Sequence, residues 1–183
     1  MTIIERLGGA RVPKERIAER RDRLYKVAFA WCFDGHLADD LVQETLIRAM
    51  GKRHQLRDPS RLDSWLYSIL NNCWREHLRR RRPETGIDEE SLECTRCPER
   101  VNQASELAQR VLDLMARLPE GQRQVLALVA LEDFSYREVA EALDIPIGTV
   151  MSRLCRARRT ILEGFEALQQ PVEAPRLYLR RVK

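Results

Sequence analysis

The sequence predicts an all-α protein of two small helical domains joined by a flexible linker, the second domain carrying a helix-turn-helix. Three observations carry this. β-Branched runs are almost absent and Gly and Pro are sparse, 8 of each in 183 residues, while the good helix formers Leu, Ala, Arg and Glu dominate. Apolar residues recur at helical spacing through most of the chain. Between the periodic stretches, residues 83–103 are polar and acidic without any period, which reads as a linker. The expected boundaries are a first domain over 1–82, the linker, a second domain over 104–170 and a tail over 171–183.

Residues 1–13 read as a lead-in ending at Pro13. A helix from Lys14 to about Phe33 presents Ile17, Leu24, Val27, Ala28 and Trp31 on one face, and Asp34-Gly35 ends it. The next helix, about Leu37 to Lys52, turns Ala38, Leu41, Val42, Thr45, Leu46 and Ala49 inward and Asp40, Gln43, Glu44 and Ile47 outward. An isoleucine among acids and amides on an outer face points either to a protein partner or to a solitary surface apolar residue, which is common.

A polar loop over His54–Arg61, broken at Asp58-Pro59, leads to a helix from Leu62 to Arg82. Leu62, Trp65, Leu66, Ile69, Leu70 and Cys73 share its inner face, Asn72 lies at the edge of that stripe, and Ser68, Asn71, Arg75, Arg79 and Arg82 lie opposite. Such a row suits a DNA-reading helix, because amides reach base edges and guanidinium groups reach phosphates or bases. Trp65, Tyr67 and Trp74 lie on or beside this helix, and aromatics near cations suit unpaired bases, although the sector of Trp65 also fits the core.

The second domain opens with a helix carrying Leu107, Val111, Leu114 and Leu118. The turn Pro119-Glu120-Gly121 follows, then a helix from about Gln122 to Leu131 with Val125, Leu126, Val129 and Ala130 inward. Phe134 to Arg159 reads as two helices and a short turn. Ser135 and Glu138 form a capping box, and Pro146 pushes the preceding Ile145 out of helical conformation while starting the second helix. Val150, Leu154, Ala157 and Ile161 face the core. Gly148, Ser152, Cys155 and Arg159 face away, with Met151 and Arg156 flanking them and Arg153 and Arg158 nearer the core boundary. Small residues early and arginines later fit a helix whose N-terminal end enters a major groove, or a plain helical hairpin with a solvated basic face.

Net charge is only +4, but it is unevenly spread: residues 79–82 are four consecutive arginines, and residues 83–100 hold six acids against two arginines. The basic block favours a polyanion partner. No apolar run approaches the ~20 residues that span a bilayer, and the N-terminus lacks the apolar core of a signal peptide, so a cytoplasmic protein without direct membrane insertion is expected. Five cysteines, an odd number, read as free thiols. Cys94 and Cys97 form a lone C-x-x-C pair without the further ligands zinc needs, and Asp39, Asp40 and Glu44 lack a supporting histidine. No metal and no cofactor are expected.

Four stretches together resemble bacterial sigma factors of the sigma-70 superfamily, specifically the small extracytoplasmic-function group. Ala38 to Ala49 is similar to that family's helix that docks on the core polymerase clamp, and Trp65 to Asn72 with Glu76 to Arg80 is similar to its −10 promoter helix. Leu118 to Leu126 is similar to the start of its last domain, and Phe134 to Arg159 to its −35-reading helix-turn-helix. The likeness covers roughly residues 17–165 in the family's order and spacing. It implies that Asp40, Gln43, Glu44 and Ile47 face polymerase, that Asn71, Asn72, Arg75 and Arg79 meet the −10 element, and that the Lys52–Ser64 loop holds a flipped base. It further implies that Thr149, Met151, Ser152, Arg153, Cys155, Arg156 and Arg159 meet the −35 element, and that an anti-sigma factor is a partner beside core RNA polymerase and promoter DNA. The −10 helix departs from the family's habit at Cys73, Trp74 and Glu76, Leu62 stands for a frequent Phe, and Met151 takes a position often basic. A thymine methyl is a suitable contact for Met151.

The expected function is therefore promoter selection, with no chemistry of the chain's own. Two rivals stand beside it. A dimeric operator-binding regulator leaves the Asp40–Ile47 and Asn71–Arg82 faces unexplained, and a metal-dependent nuclease built on Asp39, Asp40 and Glu44 lacks a ligand constellation.

Overall fold

The computed structural model describes residues 12–81 and 106–169. The expected linker, the Cys94–Cys97 pair, Arg82 and the tail lie outside the described residues.

Eight α-helices are described: α1 (Lys14–Ala18), α2 (Arg21–Cys32), α3 (Gly35–Lys52), α4 (Leu62–Arg81), α5 (Glu106–Ala116), α6 (Glu120–Glu132), α7 (Tyr136–Leu143) and α8 (Ile147–Gln169). The single helix expected over 14–33 is two, separated at Glu19-Arg20, where the amides of Glu19 and Arg20 bond back to Glu15 and Ile17. Arg20 leaves the helix to bond Asp63 at the start of α4, 2.8 Å, a pull from across the fold that periodicity does not contain. The break after α2 has a sharper geometry than Gly35 alone suggested. Phe33 ends α2 in the left-handed conformation (φ 53°), and Asp34 caps α3 by accepting from the amides of His36 and Leu37.

Helices α2, α3 and α4 enclose the first core around Trp31, Leu24, Val27, Val42, Leu66 and Leu70, all fully buried. Two short 3₁₀ turns, Arg53–Gln55 and Pro59–Arg61, connect α3 to α4; Leu56 is buried, and Asp58 accepts from the amide and hydroxyl of Ser60. In the second half α6 and α7 pack on α8 through Val125, Leu128, Val139, Leu143, Val150 and Leu154. Ala127 and Leu128, not Ala130, complete the inward face of α6. The Ser135–Glu138 capping box forms as read from the sequence, with both reciprocal hydrogen bonds present.

The halves are not held apart. Helix α6 packs on α2 and α7 packs on α4, so one apolar core runs through both.

Candidate functional site

On α3, Asp40, Gln43, Glu44 and Ile47 are all exposed, Ile47 to 67%. The inward stripe of Ala38, Leu41, Val42, Thr45 and Ala49 fixes this orientation by burying the opposite side. Asp39 instead turns toward Arg21, whose guanidinium donates to it at 3.1 Å. Arg48 ties this face to α4: it donates to Glu44 at 2.6 Å and, through both terminal nitrogens, to the two carboxylate oxygens of Glu76 at 2.9 and 2.7 Å. Those bonds hold the Glu76 carboxyl below the usual glutamate range. A depressed folded-state pKa means stabilisation present above the unfolded value and lost as pH falls through the folded one. Glu76→Gln is therefore expected to cost about 1 kcal/mol at neutral pH. Thermal melts of variant and parent should converge as the pH drops below the usual glutamate range.

The outward row of α4 divides. Asn72, Arg75 and Arg79 are exposed, although Asn72 was expected at the edge of the buried stripe. Asn71 does not share the exposed row: it is 3% exposed and its amide donates to the Leu143 carbonyl of α7 at 3.1 Å. The second half covers this side of α4, so a face turned away from its own domain's core is nonetheless buried. Tyr67 lies edge-on against Phe134, ring centroids 5.3 Å apart, and the Trp74 indole N–H donates to Glu120 at 2.7 Å. Trp65, expected in the core, is only half-buried, while Tyr67 and Trp74 are the buried aromatics. His77 stacks on Trp74, and burial, with Arg81 and Arg80 adding to it, pushes its pKa down, so its imidazole is neutral at pH 7.

Sequence reasoning missed the centre of this contact. Glu132, at the end of α6, has a buried side chain that accepts from Arg23 of α2 at 2.8 Å. Arg23 also donates to Asp63 of α4 at 3.0 Å. Tyr67 bonds to Glu132 as well; burial first, and the negative Glu132 beside it, push the phenol's pKa far up, so it stays a donor. Arg123, also buried, lies over the Phe33 ring at 5.5 Å. The one available signal was an acid in the last turn of a helix, where a negative charge is unfavourable without a partner.

On α8, Met151 (54% exposed), Cys155, Arg156 and Arg159 point to solvent, and Thr149 and Ser152 are half-buried. The Ser152 hydroxyl donates to the Thr149 carbonyl, and Arg159 pairs only loosely with Glu163 at 3.8 Å. Gly148 meets nothing where a Cβ would stand, so close approach is open at the start of this helix. Arg153 departs from the rest. It lies against Gly121 at the start of α6, and with Asn72, Arg75 and Arg79 it lines one cleft. Among the described residues no group of His, Cys, Asp and Glu could hold a metal ion, and no helix is long and apolar enough to cross a membrane.

Comparison with known proteins bears directly on these faces. Residues 17–84 match the family Sigma-70 region 2, and residues 108–161 match Sigma-70, region 4. The chain is 36% identical over 133 residues to the ECF RNA polymerase sigma factor EcfG of Rhodopseudomonas palustris, an alignment covering 72% of this chain and 74% of that one. This chain belongs to the extracytoplasmic-function (ECF) group of sigma-70 factors. Among solved structures, the sigma factor RpoE in complex with the anti-sigma factor NepR from Bartonella quintana is similar (TM-score 0.67, 26% identity, covering 84% of this chain and 96% of that one). So is CnrH in complex with the cytosolic domain of CnrY (TM-score 0.62, 25% identity, 84% and 86%). As an ECF sigma factor the chain works with core RNA polymerase and promoter DNA in transcription initiation. The region 2 match runs from the end of α1 through α4, and the region 4 match from within α5 to Ile161 of α8; the two are called regions 2 and 4 below.

Proposed function

We propose that Asp40, Gln43, Glu44 and Ile47 dock on the polymerase clamp, that Asn72, Arg75 and Arg79, joined by Asn71, contact the −10 element, and that Thr149, Met151, Ser152, Arg153, Cys155, Arg156 and Arg159 contact the −35 element. The observation that carries this reading is the contrast between faces: the α3 face is open, while α7 covers Asn71 and α6 engages Trp74. The described arrangement is then a closed form that can meet polymerase only incompletely and cannot read a promoter.

Geometry supports the closure argument. Elements about 25 base pairs apart lie roughly 80 Å apart along B-DNA. Asn72, Arg75 and Arg79 of α4 and Arg153 of α8 share a single cleft of about 500 Å³. Both elements can be held only after region 4 leaves region 2. The segment 82–105, fully extended, reaches about 80 Å, which suffices. An anti-sigma factor that binds the closed form would hold the chain silent in the cytoplasm, and the solved relatives are complexes with such factors.

Run-off transcription with sigma-free core polymerase on a pooled promoter library tests the reading. Specific transcripts that share −35 and −10 sequences are expected; absence of polymerase binding would transfer the case to a stand-alone operator-binding regulator. Within that assay Arg156→Ala is expected to weaken initiation at the preferred −35 sequence by ~1–3 kcal/mol. An equal loss on every −35 sequence would reassign Arg156 to phosphate.

A further inference from the structure

We propose that the cleft between α4, the start of α6 and α8 is a binding site for an oligophosphate anion, inorganic or carried by a nucleotide. Three guanidinium groups line it: Arg75 and Arg79 from region 2 and Arg153 from region 4. None of the three has an ion pair or a hydrogen bond among the described residues. Among the described residues the only carboxylate in the lining is Glu120, which is engaged by the Trp74 indole at 2.7 Å. Asn72 and Gln124 add side-chain amides, and the volume, about 500 Å³, lies in the range of small-molecule sites.

The cleft is shaped at one point by a missing side chain. A Cβ on Gly121 would stand 2.7 Å from the Arg153 Cζ and 2.8 Å from one terminal nitrogen, so the guanidinium lies on bare backbone. That contact fixes Arg153 across the cleft from Arg75 and Arg79 instead of leaving it in solvent. Three like charges brought from two domains into one cleft repel each other, and Glu120 in the lining with Glu76 near Arg79, itself bonded to Arg48, offset them only in part. A multivalent anion removes that repulsion, and an oligophosphate presents several charged oxygens at once to guanidinium groups and amide donors. The site exists only while regions 2 and 4 are together, so it rests on the closed form. An oligophosphate bound there holds the sigma factor closed and competes with promoter DNA for the same arginines.

The test titrates sodium tripolyphosphate, and separately magnesium-free ATP, into the full chain at about 0.15 M salt, with calorimetric detection. Small-angle scattering of the same samples reports whether the chain is compact. Saturable one-to-one binding is expected, weakened about ten-fold or more by Arg153→Gln and by Arg79→Gln but not by Arg156→Gln on the outer face of α8. Gly121→Ala, which displaces the Arg153 guanidinium, is expected to weaken it too. Comparable affinity for the two probes assigns recognition to the phosphate chain alone, and a clear preference for ATP assigns it to a nucleotide. A compact chain with no saturable binding, or with equal loss in Arg156→Gln, overturns the site while leaving closure intact. An extended chain without anion that tripolyphosphate does not compact overturns both.

Discussion

Ile47→Glu is expected to abolish binding to core RNA polymerase while leaving the fold unchanged. Ile47 projects from the middle of α3 with Asp40, Gln43 and Glu44 around it and two-thirds of its surface free. It supports nothing inside the protein, so the melting temperature of the variant should match the parent's to within the small effect usual for surface positions. At an interface the same side chain is a central apolar anchor ringed by polar groups. Burying a carboxylate there, without a partner, should cost at least ~3 kcal/mol, or more than a hundred-fold in affinity. Titration of fluorescently labelled protein with core enzyme measures this, and circular dichroism checks the helices. Retained affinity would remove α3 as the clamp-facing element and return Ile47 to the ordinary exposed apolar residues.

The second large effect is a gain. Glu132→Lys should raise promoter-specific transcription in the absence of any anti-sigma factor. In the closed form the new ammonium would face Arg23, whose guanidinium now pairs with the Glu132 carboxylate at 2.8 Å. Like charges in that setting cost several kcal/mol, here taken as about 3, enough to change the closed-to-open ratio a hundred-fold. In the open form the lysine sits in the last turn of α6, where a positive charge suits the helix dipole. Apparent affinity for polymerase and promoter is divided by the fraction of competent molecules, so opening raises it up to the limit set by that fraction. The coupling has its own control. With Arg23→Ala in the background the lysine meets no like charge, and most of the gain should vanish. Reduced transcription from Glu132→Lys alone, in a chain that still melts cooperatively, would mean that closure does not limit activity.

The contrast between these two residues shows where sequence reading succeeds. Ile47 was legible because a helix wheel reports which side of α3 its own domain buries, and among the described residues nothing covers the opposite side. The helix-turn-helix was legible for the same local reasons: Ser135, Glu138 and Pro146 fix their turns through neighbours within four residues. Asn71 was misplaced because its burying partner, the Leu143 carbonyl, is 72 residues away. Periodicity identifies a face turned from one core and is silent on a second body packing there. Arg153 shows the intermediate case. Its position near the core boundary of α8 was readable, but the bare backbone of Gly121 that receives it was not. The break between α1 and α2 likewise came from Arg20 reaching Asp63, with neither Gly nor Pro to announce it.

A core that runs unbroken through regions 2 and 4 also has a calorimetric meaning. Tyr67 and Phe134, or Asn71 and Leu143, cannot be uncovered on one side without uncovering the other. Heating the closed chain should therefore give one cooperative endotherm for both regions, whose height and sharpness belong to a unit larger than either region alone. A chain opened by Glu132→Lys should instead melt as two smaller, broader units, each at its own temperature. The number of transitions in a single scan thus counts how many bodies the chain is at that moment, before polymerase or DNA is added.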